Sequence, residues 1–213
     1  MAISTEIAAW SQYLESASKR IEDAIVEHVI VIQSLNQQAT SLIRIADSMC
    51  RTVLSGNKIL WCGNGGSAAD AQHLAAELVG RFTRERPSIP SIALTTDTSI
   101  LTAIGNDYAY DQIFSRQVEA LCGKNDLLVG ITTSGNSKNV CTALQKARDI
   151  GAFTVAFTGE SGGIAGNLAD LTLRVGSSNT ARTQEAHILC GHILCDWIED
   201  FFCRNQSEYH LSR

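Results

Sequence analysis

The first stretch of the chain repeats apolar residues at helical spacing. Ile21, Ile25, Val29, Ile32 and Leu35 recur three or four positions apart, which puts them on one face of a helix. No glycine or proline occurs before Gly56. The pattern predicts helix over residues 3–55, broken in two between Asn36 and Thr40. From residue 58 the rhythm changes to five short apolar runs: KILWCG (58–63), SIALTT (91–96), DLLVGITT (126–133), FTVAFTG (153–159) and LTLRVGS (171–177). They lack polar alternation, as strands buried on both faces of a parallel sheet do. Helical segments separate them. Parallel strands need right-handed crossovers, so helices are expected on both faces of a doubly wound α/β sheet. A last helix runs from Thr180 to about Cys203, and the polar residues 204–213 are expected to fray. The division predicted is a helical extension, 1–55, and one α/β domain, 56–213.

Composition narrows the function classes. With 213 residues, 45% of them hydrophobic and 18% charged, the chain can bury one sizeable core. The net charge is −5 and no Lys/Arg run stands out, which argues against a nucleic-acid or membrane surface. The longest apolar stretches are strand-sized, so no membrane span is expected. The N-terminal twenty residues carry acids and lack the basic start and apolar centre of a signal peptide. Cys50, Cys62, Cys122, Cys141, Cys190, Cys195 and Cys203 are scattered, with no CxxC pair. They read as reduced, mostly buried thiols of a cytoplasmic protein.

Ligands of open α/β sheets bind beyond the carboxyl ends of the strands, so the residues after each run are the candidates. Gly63-Asn64-Gly65-Gly66-Ser67 follows the first run. Its glycines let a ligand approach the backbone, and the next helix offers free N–H groups to an anion. A tight turn without a ligand would use the same glycines. Thr132-Thr133-Ser134-Gly135-Asn136-Ser137 follows the third run and opens another helix. Hydroxyls and backbone N–H groups there suit a phosphate held without a lysine, although Asn136 or Ser137 would also serve as an ordinary N-cap. His73 and Glu77 stand four apart, on one helix face. Such a pair can bind a metal or exchange protons, or be a plain surface pair. The last helix carries Gln184, His187 and His192; His187 reads as a core histidine.

The run C-G-N-G-G-S-A-A-D-A-Q-H-L-A-A-E-L-V-G-R-F, followed by G-N-D-Y (105–108), T-S-G-N-S (133–137) and A-R-T-Q-E-A-H-I-L (181–189), resembles the sedoheptulose-7-phosphate isomerase family within the sugar-isomerase (SIS) domain superfamily. The resemblance covers residues of about 40–200 and implies a five-stranded parallel sheet between helices. It also implies a homotetramer with active sites between subunits. The implied activity converts sedoheptulose 7-phosphate to D-glycero-D-manno-heptose 7-phosphate through an enediol, the first step of nucleotide-activated heptose biosynthesis for lipopolysaccharide and other glycans. Carried over by motif, Asn64, Gly65, Gly66, Ser67, Asn106 and Asp107 would contact the sugar phosphate. Thr132, Thr133, Ser134 and Ser137 would cradle its phosphate, and Glu77 and Gln184 would also touch substrate. Glu77 and His192 fall at the family's proton-transfer positions. His73, Glu77, Gln184 and His192 fall where metal-containing members hold one Zn2+ per subunit. Gln184 and His192 lie about 12 Å apart along an ideal helix. Sharing one ion would need an irregular first turn or ligands from two chains. Where some members carry an acid before the arginine of the Q-E-x-H motif, this chain has Ala181.

Three other readings compete. A branch of the same fold binds the bacterial replication initiator; its known member lacks counterparts of Glu77 and His192. Gly63-x-Gly65-x-x-Ala68 fits a dinucleotide fingerprint, but a ribose-binding acid is expected about 20 residues on, and Asp97 lies farther. A sugar-phosphate sensor would carry a DNA-binding segment, and the N-terminal helices lack a basic face.

Overall fold

A computed structural model describes residues 2–205. Helix α1 spans Ala2–Ser34 and α2 spans Ala39–Leu54, with a 3-10 turn at Leu35–Gln38 between them. The break falls where the sequence predicts it. Then come β1 (Ile59–Gly63), α3 (Gly66–Val79), β2 (Ser91–Ala93), α4 (Thr98–Asp107), α5 (Ser115–Leu121), β3 (Leu127–Thr132), α6 (Lys138–Ile150), β4 (Phe153–Thr158), α7 (Gly163–Leu168), β5 (Leu171–Arg174) and α8 (Thr180–Arg204). Most of the tail expected to fray lies outside the described residues.

All five strands are parallel, in the order β2-β1-β3-β4-β5. Each predicted run holds a strand. The second is shorter than its run: after Ala93 only Leu94 N still reaches Trp61 O, and the chain turns into α4 under Asp97. An edge strand needs pairing on one side only, which allows it to stop early.

The two faces of the sheet build two cores. Ile59, Trp61, Leu127, Val129, Val155 and Phe157 pack under α2, α3 and α8, joined by Val31 near the end of α1 and Leu35 in the 3-10 turn. Leu60, Cys62, Leu128 and Ala156 point the other way, under α5, α6 and α7. Successive strand residues thus go to opposite cores, which is why the runs show no polar alternation. Gly130 is needed for the second packing: a Cβ there would sit 2.7 Å from Val140 Cγ1. Gly191 does the same between α8 and α3, where a Cβ would meet Leu74 at 2.5 Å. The two helices therefore lie close, and what they carry is brought together.

All seven cysteines are free, six of them buried. Burial pushes Cys62, Cys190 and Cys195 up to about 12, so these thiols are inert. Among the described residues no helix is long and apolar enough to cross a membrane.

Candidate active site

With this strand order, the connections leave β1 and β3 in opposite directions, opening a crevice at their carboxyl ends. Both candidate loops stand there. Asn64 and Asn139 tie them together by a reciprocal pair of amide hydrogen bonds, each 2.8 Å. Tyr110 Oη donates to Asn64 Oδ1 at 3.0 Å. Sequence reasoning missed Asn139 and Tyr110, because their partners are distant in the chain.

The helices that follow these loops differ from α4 and α8. Asp97 caps α4 through Ile100 N, and Asn179 caps α8 through Ala181 N. At α3 and α6 no side chain caps the N-terminus. Ser137 stands at the N-cap position of α6, yet its hydroxyl pairs with Thr132 Oγ1 at 3.0 Å instead. Ser134 Oγ accepts from Asn136 N at 3.1 Å and lies 3.5 Å from Thr132 Oγ1. The first N–H groups of α3 go to Asn64 O and Gly65 O, and on α6 Val140 N donates to Asn139 Oδ1 at 2.9 Å. The hydroxyls of Thr132, Ser134 and Ser137 gather just before α6, whose N-terminus favours an anion. Gly135 holds the loop at φ 70°, and a Cβ there would lie 2.3 Å from Gly162 O. Gly65, at φ 56°, gives α3 its N-cap.

Further along, α3 and α8 face one another. His73 Nε2 and His192 Nε2 are 2.9 Å apart, with one imidazole donating to the other, and Glu77 Oε1 lies 3.3 Å from His73 Nε2. The donor atoms of all three residues lie within 4.8 Å of one another. Phe82 stacks on His192, with centroids 5.6 Å apart and planes at 27°. Asp70, on α3, buries one carboxylate oxygen with no hydrogen-bond partner. Burial pushes its carboxyl up to about 6, and His73 pulls the other way.

The remaining candidates stand outside the His/Glu/His cluster. Helix α8 is continuous, so no irregular first turn brings Gln184 to His192. The Gln184 amide instead lies over Gly66, 2.6–2.9 Å from where a Cβ would be. Asn106 and Asp107 end α4, where Asn106 Nδ2 donates to Asp107 Oδ1 at 2.8 Å. His187 is fully buried, as its reading as a core residue requires, with Nε2 3.2 Å from Thr158 O. Burial pushes it down to about 4.

Two imidazoles and a carboxylate gathered by α3 and α8, together with three hydroxyls gathered after β3, are groups suited to moving protons and to holding an anion. The SIS domain family model matches residues 12–159. The chain is 51% identical over 190 residues to the phosphoheptose isomerase of Aquifex aeolicus, covering 89% of this chain and 98% of that one. A solved phosphoheptose isomerase from Neisseria gonorrhoeae superposes with a TM-score of 0.82 at 43% identity, over 86% of this chain and 98% of its own. One from Francisella tularensis gives 0.80 at 39%, over 88% and 98%. The chain belongs to the SIS domain family and, within it, to the phosphoheptose isomerases.

Proposed function

We infer that the chain interconverts sedoheptulose 7-phosphate and D-glycero-D-manno-heptose 7-phosphate, an aldose–ketose isomerisation. The observation that carries this is the pairing of an uncapped hydroxyl loop with a His/Glu/His cluster on one protein of this family. Starting from the ketose, a base removes a proton from C1. The electrons form a C1–C2 double bond, and the C2 oxygen takes up a proton, giving the enediol. Returning a proton to C2 while the C1 hydroxyl loses its own yields the aldehyde. One group must serve carbon and another the oxygens. Glu77 and His192 divide that work in our reading. Thr132, Thr133, Ser134 and Ser137 hold the phosphate with the first N–H groups of α6. Asn64, Gly65, Gly66, Ser67, Asn106, Asp107 and Gln184 line the sugar. A scaffold for the replication initiator has no need of such a proton-transfer pair.

The His73, Glu77 and His192 donors also suit Zn2+. Ligands at about 2.0–2.2 Å in tetrahedral array stand roughly 3.3 Å from one another, close to the 2.9 and 3.3 Å seen between these atoms. A bound zinc would supply Lewis-acid stabilisation of the enediolate. Gln184 could join only from another subunit, given where it lies in its own chain. A homotetramer provides such neighbours, and α1 supports one: Trp10, Tyr13, Leu14, Ile21, Ile25, Val26, Val29 and Ile30 are all exposed on it. On this reading residues 1–55 serve assembly, residues 56–213 form the catalytic domain, and the protein works in the cytoplasm to feed heptose into lipopolysaccharide or related glycans.

Turnover of sedoheptulose 7-phosphate by purified protein, before and after chelation and zinc repletion, tests this. Activity lost on chelation and regained with zinc is expected. Activity indifferent to chelation would remove the metal; none under any condition would remove the isomerase.

A further inference from the structure

The segment between α3 and β2 contains a polar clamp that the chemistry above does not use. Glu199 on α8 is fully buried. Its Oε1 accepts from Phe82 N at 2.8 Å. Its Oε2 accepts from Thr83 N and Arg84 N, both at 2.7 Å, and from Thr83 Oγ1 at 3.0 Å. Burial works against the charge of this carboxylate, but the donors outweigh it and hold Glu199 below its ordinary range. Arg86, also fully buried, brings its Nε within 3.3 Å of Glu199 Oε1. Its other nitrogens donate to the last carbonyls of α3, Glu77 O at 2.7 Å and Leu78 O at 2.8 Å. A cation there also suits the negative end of the helix.

The clamp leads to the reacting side chains by two routes. Arg86 grips the backbone of Glu77. Phe82, whose N–H is held by Glu199, lays its ring on His192, while His73 meets the same imidazole edge-on at 5.1 Å and 71°. An imidazole with one face covered and one edge occupied has little freedom to turn. Proton transfer needs donor and acceptor within hydrogen-bond reach, and small misplacements are costly.

We propose that Phe82 and Glu199 are positioning residues for the isomerisation: Glu199 fixes the backbone of residues 82–84, and the Phe82 ring so held sets the plane of His192. This rests on the isomerase reading, and wild-type turnover is its separate control.

The test uses Phe82→Leu, Phe82→Tyr and Glu199→Gln in the full chain. Phe82→Leu should lower kcat roughly tenfold with KM within about twofold, and Phe82→Tyr, which keeps the flat ring, should restore it. His192 ring-proton resonances, read by NMR without substrate, should move in Glu199→Gln toward their positions in Phe82→Leu. The double variant should lose no more kcat than the worse single one, since both act through one ring. Unchanged kcat in Phe82→Leu would make the ring mere packing and overturn the proposal. Unmoved resonances in Glu199→Gln, or additive losses in the double variant, would remove Glu199 from it. Should Glu199→Gln fail to fold, the Phe82 pair alone still decides the role of the ring. A wild type without turnover would break the isomerase reading instead, while the resonances still report the geometry.

Discussion

Glu199 and His192 lie about two turns apart on α8, each facing the end of α3, and their surroundings follow opposite plans. Around Glu199 the carboxylate accepts from three backbone N–H groups and a hydroxyl, with the Arg86 guanidinium 3.3 Å away as counter-charge. Around His192 two imidazole nitrogens share one hydrogen bond, and a carboxylate oxygen stands 3.3 Å from the His73 nitrogen. A saturated cluster has no capacity left for a ligand; it holds backbone in place. A cluster of imidazoles and a carboxylate around a single hydrogen bond keeps lone pairs available for something they can share. The comparison distinguishes a structural carboxylate from a functional one without reference to which is more buried.

The sharpest way to break this contrast is to substitute on both sides. Glu77→Gln and His192→Asn should each lower turnover by roughly 10²–10⁴-fold while leaving thermal unfolding nearly unchanged, read by calorimetry beside a coupled assay. Arg86→Met should do the reverse. It strands a buried carboxylate and should cost about 3–5 kcal/mol in urea unfolding; a further Glu199→Met should recover part of that loss. An Arg86→Met protein as stable as wild type would end the distinction.

A third prediction concerns pH. His187 resists the proton that the unfolded chain takes up below its ordinary value of 6.5, since burial holds it down to about 4. Its contribution is therefore complete above 6.5 and is lost as pH falls through that window. The loss is on the order of 3 kcal/mol. Unfolding free energies between pH 7 and 4, compared with His187→Gln, should show a shallower slope in the variant.

The smallest effects should come from the glycines of the two loops. Gly135→Ala forces a strained φ against rigid backbone and should cost about 1–3 kcal/mol and raise KM more than it lowers kcat. Gly66→Ala meets only the mobile end of Gln184 and should be milder in stability. Equal losses in the two would show that the loop tolerates what its geometry forbids.

Much of this was legible in the sequence, for stated reasons. Unbroken apolar runs marked the strands because both faces are buried, and glycines and hydroxyls after β1 and β3 marked the crevice. His73 and Glu77 were paired by helical spacing alone. Spacing could not say which neighbour each side of α8 meets: His187 turns to Thr158 and His192 to His73, with equally apolar residues beside both. Glu199, Phe82 and Asn139 were missed because their meaning lies in contacts across distant chain positions. Gln184 was placed by motif, and only the unbroken course of α8 reveals how far it stands from the histidines.

The reciprocal amide bond between Asn64 and Asn139 bears on how this protein ages. Asn64 precedes a glycine, the neighbour least able to shield an asparagine from attack by the next backbone nitrogen, the reaction that turns amide into acid. Asn139 and Tyr110 hold the Asn64 amide in one orientation, so the attack must first undo three hydrogen bonds. If it succeeds, an added negative charge appears at the mouth of the proposed phosphate site. Chemical wear and loss of substrate affinity are thus coupled at one residue, and the contacts that shape the crevice also set its shelf life.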